Sequence, residues 1–246
     1  MDARSDLRTG WPCDMNDRLR NTNSWYEGRD PLSVVDGGLI EIIHRRAGHR
    51  VLDLGCGLGG YAARMQQLGH DCAAIDINPA YVDSARSLGV DATLYDGTVI
   101  PFPDASFDTV FAVEVLEHVA ESAALVREVS RVARGGFIAT VPNCTQRFPD
   151  GTVVFEHMLD SDHKNFFTVE SLTRLLATDF DSVHVEQIAP VDAALAQVLL
   201  PRTLYKAYRV GQKLGWLRPR QFFRLVAHCE APRRQGAISA SHASTR

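Results

Sequence analysis

The chain lacks the segments that would place it in a membrane or outside the cell. No apolar run approaches the ~20 residues that a membrane-spanning helix needs. The polar N-terminal stretch contains no apolar core of the kind found in secretory signals. The five cysteines are scattered and form no Cys-x-x-Cys pair, which argues against a disulfide framework and a cysteine zinc site. We therefore expect a cytoplasmic protein with reduced cysteines.

The chain also lacks a strong excess of charge of either sign. Its formal net charge of −4 gives no global bias toward nucleic acid or anionic membrane. Apolar residues make up 45% of the 246 residues, enough for a sizeable core, and this length fits one large α/β domain with additions. We predict an N-terminal arm or lid over 1–34, the domain over 35–230 and a disordered polar tail over 231–246.

The hydrophobic pattern of the predicted domain alternates between strands and helices. Strands are expected at 51–54, 72–77, 92–94, 107–113, 136–141, 182–188 and 222–229. Helices are expected at 35–47, 60–68, 79–88, 121–132 and 169–177, with further helix inside 190–220. Such alternation predicts an α/β fold with a parallel sheet and helices on both of its faces.

A glycine-rich turn follows the first predicted strand, in the stretch Val51-Leu-Asp-Leu-Gly-Cys-Gly-Leu-Gly-Gly60. Glycines permit a tight turn and a close backbone approach to a ligand, and the following helix offers free amides. A bare G-x-G-x-x-G would also suit a dinucleotide or a purely structural turn. Here Asp53 ends the strand, and its carboxylate suits an ammonium group better than a pyrophosphate. The pattern therefore favours a cofactor that carries a positive charge.

Several motifs in order resemble those of a known family. The D-x-G-x-G-x-G pattern that begins at Asp53 resembles motif I of class I S-adenosylmethionine-dependent methyltransferases, and Asp76 stands where an acid binds ribose hydroxyls in such folds. Residues 96–108 resemble the D-x-x-x-L-P-F-P-D-x-S-F-D stretch of the ubiquinone/menaquinone-type methyltransferases, in which the first acid, here Asp96, contacts the adenine amino group. The resemblance implies S-adenosylmethionine as cofactor and a Rossmann-like, seven-stranded, mostly parallel sheet with an antiparallel last strand. The expected cofactor residues are Asp53, Gly55, Cys56, Gly57, Gly59, Asp76, Ile77, Asp96, Gly97 and Glu114.

A second motif follows the fourth predicted strand. Glu114, Glu117 and His118 have the spacing that one helical turn would bring to one side, in a crevice beside the strand ends. The E-x-x-E-H pattern resembles the metal-binding segment of ubiquinone-pathway O-methyltransferases and of small-RNA 3′-terminal ribose 2′-O-methyltransferases, which add a histidine from a later loop, here His163. The resemblance implies a divalent metal, Mg²⁺ or Mn²⁺, on Glu114, Glu117, His118 and His163. The alternative is a metal-free site with His118 and His163 as acid and base.

Two further segments are expected near the acceptor. Residues 142–167 form a long loop after a strand end, where substrate lids are common. Residues 190–220 carry six cations against one acid, Asp192, in an amphipathic helical pattern. This insertion could cap the acceptor site, form a dimer face or touch an anionic partner. The simplest interpretation is a packed helix with a solvated basic face.

Together these features predict an O-methyltransferase that acts on a hydroxyl of a saccharide or other diol with a divalent metal, and His118, His163 and Glu117 are its expected catalytic residues. The chain also resembles actinobacterial sugar O-methyltransferases of methylmannose polysaccharide synthesis, although no particular residue pattern carries this resemblance. The alternatives are a catechol or phenol O-methyltransferase of quinone metabolism, an RNA ribose 2′-O-methyltransferase, and a cofactor-binding regulatory protein without catalysis. The expected partner is a small-molecule or oligosaccharide acceptor or a second copy in a homodimer, and the acidic charge argues against nucleic acid.

Overall fold

The structure, a computed structural model, describes residues 28–144, 162–190, 200–214, 216–217 and 222–233. Within these ranges the strands are β1 (Arg50–Leu54), β2 (Asp71–Asp76), β3 (Asp91–Leu94), β4 (Phe107–Val113), β5 (Ala133–Pro142), β6 (Phe180–Pro190) and β7 (Phe222–Pro232). The α-helices are α1 (Gly37–Arg46), α2 (Gly60–Gln67), α3 (Pro79–Ser87), α4 (Ser122–Val132), α5 (Val169–Leu176) and α6 (Arg202–Lys213). A short 3-10 helix (Leu116–His118) follows β4.

The seven strands form one sheet in the order β3-β2-β1-β4-β5-β7-β6. The first five pair in parallel, whereas β7 is antiparallel to both β5 and β6. The strand order reverses between β1 and β4, and in open α/β sheets a ligand crevice lies at such a switch point, beside the carboxyl ends of the strands. We call this side of the sheet the carboxyl edge. The predicted Rossmann-like fold with its antiparallel last strand is confirmed.

Local sequence signals explain where several helices begin. The Asp36 side chain caps α1 by accepting hydrogen bonds from the amides of Gly38 and Leu39. Asn78 caps α3 in the same way, with Pro79 in the first turn. Thr168 and Ser171 form a reciprocal capping box at the start of α5. These caps fix the helices that flank the candidate site.

The core lies on both faces of the sheet, because successive strand side chains point to opposite faces. In β1, Leu52 and Leu54 belong to one buried cluster, whereas Val51 belongs to the other. No helix among the described residues is long and apolar enough to cross a membrane. The buried β1 thus carries its glycine-rich turn out of a fully packed region to the carboxyl edge.

Candidate active site

The glycine-rich turn after β1 has a backbone that other residues rarely adopt. Gly55, Gly57 and Gly59 have φ angles of 73°, 51° and 84°. A Cβ atom on Gly55 would lie 2.6 Å from Cγ2 of Val115, and one on Gly59 would lie 2.6 Å from the Cα of Ala85. The turn therefore needs glycine both for its conformation and for its close packing, and it leads directly into α2.

Two buried carboxylates flank this turn. Asp76, at the end of β2, accepts hydrogen bonds from the amides of Gly57 (2.9 Å) and Asn78 (2.9 Å). Burial raises the pKa of Asp76 although these amide bonds oppose the shift. Asp53 is 2% exposed, and its pKa is raised by burial first and by the nearby charge of Asp76 second. Among the described residues, the Oδ2 atom of Asp53 has no hydrogen-bond partner. The turn thus holds a concentration of negative charge that a cation would stabilise.

A cavity of about 760 Å³ opens beside the turn at the carboxyl edge. Six of the ten predicted cofactor residues line it: Gly55, Gly57, Asp76, Ile77, Gly97 and Glu114. The other four, Asp53, Cys56, Gly59 and Asp96, do not line it in this structure. Sequence reasoning missed two aromatic residues of the lining, Tyr81 and Tyr95. An apolar and aromatic wall of this kind is typical of small-molecule sites.

Asp96 makes local contacts instead of facing the cavity. Its Oδ1 atom accepts hydrogen bonds from the Thr98 amide (2.8 Å), the Thr98 hydroxyl (2.6 Å) and the Val99 amide (3.2 Å). The bonds from Thr98 and Val99 lower the pKa of this exposed carboxyl group. Asp96 therefore fixes the turn that presents Gly97 and Thr98 to the cavity, and its predicted contact with adenine stays a prediction.

His118 also lines this cavity and belongs to a cluster that we call the EHH cluster, formed by Glu117, His118 and His163. One ligand atom from each residue lies within 4.8 Å of the others. The rings of His118 and His163 are 4.7 Å apart, centroid to centroid, and nearly perpendicular. Glu117 is 1% exposed, whereas both histidines are partly exposed and His118 lines the cavity. The geometry of the cluster therefore suits a metal ion that is reached from the cavity.

Backbone hydrogen bonds hold the two parts of the EHH cluster together. The Glu117 carbonyl accepts bonds from the amides of Lys164 (2.7 Å) and Asn165 (3.0 Å). The Asn165 side-chain amide donates to the carbonyls of Leu116 (3.1 Å) and Val119 (2.7 Å). The segment that carries His163 is thus attached to the 3-10 helix that carries Glu117 and His118. Sequence reasoning missed Asn165, although it stands two residues after the predicted ligand His163.

Glu114 does not join the cluster, contrary to its predicted role as a metal ligand. Its backbone φ is 54°, in the left-handed region, so residues 114–118 do not form the helical turn that the spacing assumed. Its Oε1 atom accepts hydrogen bonds from the Thr140 hydroxyl (2.9 Å) and from Nε of Arg224 (3.1 Å). The carboxylate of Glu114 therefore binds Thr140 on β5 and Arg224 on β7 and does not point to the EHH cluster.

Arg224 is another residue that sequence reasoning missed. It lies on β7 and also approaches Oδ2 of Asp36 (3.4 Å), the residue that caps α1. Burial opposes its charge, but the carboxylates of Glu114 and Asp36 and the nearby Tyr61 outweigh that effect and raise its pKa. The sequence does contain a sign of this ion pair, since Arg224 stands inside the apolar run Phe222-Phe223-Arg224-Leu225. A charged side chain in a buried strand requires a partner of opposite charge.

Some predicted segments lie outside the described residues. These are most of the N-terminal arm, residues 145–161 of the acceptor loop, residues 191–199, 215 and 218–221 around α6, and most of the tail. The predicted domain division and the lid role of 142–167 therefore stay predictions.

Part of the chain is similar in sequence to known proteins. Residues 52–140 match a family described as "Methyltransferase domain". Over 152 residues the chain is 31% identical to the ubiquinone biosynthesis O-methyltransferase of Xanthomonas oryzae pv. oryzae, a match that covers 55% of this chain and 64% of that protein. Over 107 residues it is 37% identical to the 27-O-demethylrifamycin SV methyltransferase of Amycolatopsis mediterranei, covering 40% of this chain and 39% of that one.

Solved structures share the fold. An S-adenosylmethionine-dependent methyltransferase from Mesorhizobium loti superposes with a TM-score of 0.58 at 20% identity, covering 80% of this chain and 99% of that one. Haemonchus contortus phosphoethanolamine N-methyltransferase 2, solved with S-adenosylmethionine, gives a TM-score of 0.58 at 19% identity, covering 80% of this chain and 53% of that one.

Residues 52–140 are thus similar to the methyltransferase domain family, and the fold is the Rossmann-like fold of S-adenosylmethionine-dependent methyltransferases. The methyltransferase domain match lies within residues 52–140, between β1 and β5. Because the chain spans 64% of the ubiquinone-pathway relative, the acceptor of that relative describes that protein only.

Proposed function

We propose that this protein transfers a methyl group from S-adenosylmethionine to a hydroxyl group whose neighbour is also a hydroxyl. The observation that carries the proposal is the EHH cluster, because its His118 lines the same cavity as Gly55 and Gly57 of the glycine-rich turn. One end of the cavity has the features of a cofactor site, and the other carries groups that bind or deprotonate a hydroxyl. An O-methyltransferase needs both ends.

The residues around the turn fit the cofactor. S-adenosylmethionine supplies a methyl group that its sulfonium already activates. The buried Oδ2 of Asp53 provides a negative charge near the turn that suits the α-ammonium group. Asp76, held by the Gly57 amide, has a carboxylate suited to ribose hydroxyls, and Gly97 and Thr98 border the cavity on the side assigned to adenine.

The EHH cluster fits a divalent metal, although its composition changes the expected ion. One carboxylate and two imidazoles make a mixed oxygen and nitrogen set, and with Glu114 held by Arg224 the cluster is poorer in oxygen than the sequence suggested. Such a set favours Mn²⁺, Fe²⁺ or Zn²⁺ over Mg²⁺, which prefers oxygen ligands. A bound metal lowers the pKa of a coordinated hydroxyl at neutral pH. Without a metal, His118 or His163 would accept the proton itself.

Two acceptor classes remain candidates under this proposal. A saccharide diol is the first, because an alkyl hydroxyl is a poor nucleophile at neutral pH and gains most from a metal. A catechol is the second, and the names of the ubiquinone-pathway and hydroquinone relatives support it. Both classes present neighbouring hydroxyls that could chelate one ion. The proposal therefore specifies two neighbouring hydroxyl groups. The experiment below decides whether a sugar or a catechol bears them.

Transfer of a labelled methyl group to a sugar, a catechol and a short RNA tests the proposal. Each reaction is run after removal of metal by chelator and again after addition of Mn²⁺, Zn²⁺ or Mg²⁺. We expect transfer to a diol that chelator stops and that Mn²⁺ or Zn²⁺ restores better than Mg²⁺. Glu117→Gln and His163→Asn should each lose most of the activity while binding cofactor. His184→Asn, an exposed histidine on β6, is the matched control and should keep it.

Three outcomes would count against parts of this proposal. Full activity in excess chelator would exclude the metal and leave His118 or His163 as the base. Transfer to RNA alone would exclude a small diol. Transfer to none of the three acceptors would favour a cofactor-binding protein without catalysis.

A further inference from the structure

No residue of helix α6 lines the cavity described above. The surface of this helix nevertheless separates basic from apolar side chains. Four cations recur along it at intervals that place them on one face: Arg202, Lys206, Arg209 and Lys213. Beside this cationic stripe, Leu204, Ala207 and Leu214 lie on an adjoining face, and Val210 lies between the two. Both stripes are exposed, and the leucines are 56% and 54% exposed. We call the two stripes together the α6 surface.

The charge around α6 is unlike that of the rest of the chain. Between Asp192 and Glu230 the sequence contains seven cations and no acid. The remaining residues carry 19 of the 26 cations against all 30 acids. The near-neutral total therefore hides one strongly basic segment in an acidic protein. Such a segregated charge attracts an anionic surface from a distance while the acidic body is repelled from it, so it also sets an orientation.

The turn after α6 adds an exposed aromatic residue. The amides of Trp216 (2.9 Å) and Leu217 (3.2 Å) both donate to the carbonyl of Gly211, so the chain folds back at the end of the helix. Leu217 packs on Gly211, where a Cβ atom would lie 2.9 Å from its Cδ1. Trp216 points outward and is 78% exposed. Tryptophan beside aliphatic residues and cations is typical of protein surfaces that lie in the headgroup layer of a membrane.

The sheet topology attaches this surface to the carboxyl edge. Strand β6 ends at Pro190 opposite Phe222, where β7 begins, and Arg224 of β7 lies opposite Pro142 at the end of β5. The segment that contains α6 therefore leaves and re-enters the sheet at the edge that also carries the cavity and the EHH cluster. An anionic surface bound by α6 would approach the protein from that edge.

We propose that the α6 surface docks this protein onto an anionic lipid bilayer, with the cations at the phosphates and the aliphatic residues and Trp216 in the headgroup layer. The combination favours a lipid surface over nucleic acid. Single-strand binding surfaces pair cations with exposed stacking rings, whereas the two tyrosines of α6, Tyr205 and Tyr208, are half-buried and stack on each other, and the exposed side chains beside the cations are mainly aliphatic. A bilayer at this edge would deliver an acceptor dissolved in or attached to lipid. This last step rests on the proposed function, whereas the docking does not.

Co-sedimentation of the full chain with lipid vesicles tests the docking without cofactor or acceptor. One set of vesicles contains phosphatidylcholine alone, and the other contains phosphatidylcholine mixed with phosphatidylglycerol. We expect binding only to the anionic vesicles, with a partition coefficient that falls as salt rises. The double variant Lys206→Glu and Arg209→Glu should lower that coefficient by at least about tenfold, because each basic residue near an anionic surface contributes substantially. Trp216→Ser should also weaken binding.

A charge-matched control separates the α6 surface from net charge. Arg64→Glu and Arg127→Glu change the same charge at exposed positions on α2 and α4 and should leave vesicle binding unchanged. Equal loss in this control, binding to neutral vesicles, or no binding to anionic vesicles would each overturn the proposal. So would tighter binding to RNA than to the vesicles, or a dimer that the α6 double variant dissociates. Because vesicle binding is measured without methyl transfer, its failure would leave the proposed function standing.

Discussion

At the scale of single residues, Asp76 both stabilises the glycine-rich turn and borders the cavity. Its carboxylate accepts a hydrogen bond from the Gly57 amide and so fixes the glycine-rich turn, and it also lines the cavity. We predict that Asp76→Ala lowers the affinity for S-adenosylmethionine at least tenfold, because each charge-assisted hydrogen bond to the ribose contributes ~1.5–3 kcal/mol. Titration calorimetry measures the change. Asp71→Asn, an exposed acid on the same strand, is the control, and unchanged affinity in Asp76→Ala would refute the assignment.

Asp53 gives a prediction that depends on pH. Burial and the charge of Asp76 raise its folded-state pKa above the unfolded value, so the folded protein holds this proton more tightly than the unfolded chain. The resulting destabilisation is absent below the ordinary carboxyl pKa of ~3.9, grows as pH rises through it and is complete above the raised folded value. Asp53→Asn should therefore melt at a higher temperature than the native protein, with a gap that opens as pH rises.

The same substitution should weaken cofactor binding, since it removes the charge assigned to the α-ammonium group. Thermal melting across a pH series, with Asp71→Asn as the exposed control, gives the stability difference. An Asp53→Asn protein that melts at or below the native temperature at neutral pH would contradict the destabilising role. Higher stability together with lower affinity is the pattern expected of a residue kept for function.

At the scale of elements, the 3-10 helix after β4 depends on contacts from a distant segment. Asn165 donates to the carbonyls of Leu116 and Val119, and its loss leaves two partly buried carbonyl groups without these donors. Asn165→Ala should cost ~1–3 kcal/mol and lower the melting temperature by about 2–4 °C per kcal/mol. It should lower metal affinity and turnover, because the segment that carries His163 loses its side-chain bonds to the 3-10 helix and keeps only the backbone bonds to Glu117. Cofactor affinity should change less than about twofold.

Melting, metal titration and cofactor calorimetry on Asn165→Ala are compared with Phe166→Ala, which alters the neighbouring exposed side chain. Equal loss of cofactor and metal binding in Asn165→Ala would mean that the residue supports the whole domain and not the EHH cluster alone.

The elements also show what the sequence could and could not predict. Strand and helix positions follow from local hydrophobic periodicity, and β4 (Phe107–Val113) lies where the pattern predicts it. The glycine-rich turn and Asp76 were found because their partners lie within about twenty residues. Glu114 was assigned to the metal because its spacing was interpreted as helical. The Glu114 side chain is instead oriented by Arg224, which lies 110 residues away along the chain. A local sequence pattern does not predict a contact over that separation.

At the scale of the whole molecule, the parallel strands bring the functional groups to one edge. Asp53 is the last but one residue of β1 and Asp76 ends the neighbouring β2, the 3-10 helix follows β4, and the segment bearing His163 follows β5. The two ends of the cavity are nevertheless built by different contacts, because the Asp76–Gly57 bond and the Asn165 bonds share no residue. Cofactor and metal should therefore bind with little dependence on each other when the acceptor is absent.

Melting temperatures make this independence measurable in one experiment, because a ligand that binds only the folded state stabilises it by about 2.7 kcal/mol at a concentration a hundredfold above its Kd. We predict that S-adenosylmethionine and Mn²⁺ each raise the melting temperature of the native protein and that their effects add. Asp76→Ala should lose about half or more of the cofactor effect, since a tenfold weaker Kd leaves about 1.4 kcal/mol at the same concentration, and should keep the metal effect. Glu117→Gln should lose the metal effect and keep the cofactor effect, and Asp71→Asn should keep both. If either variant loses both effects, or if neither ligand stabilises the native protein, the two-ended site is wrong.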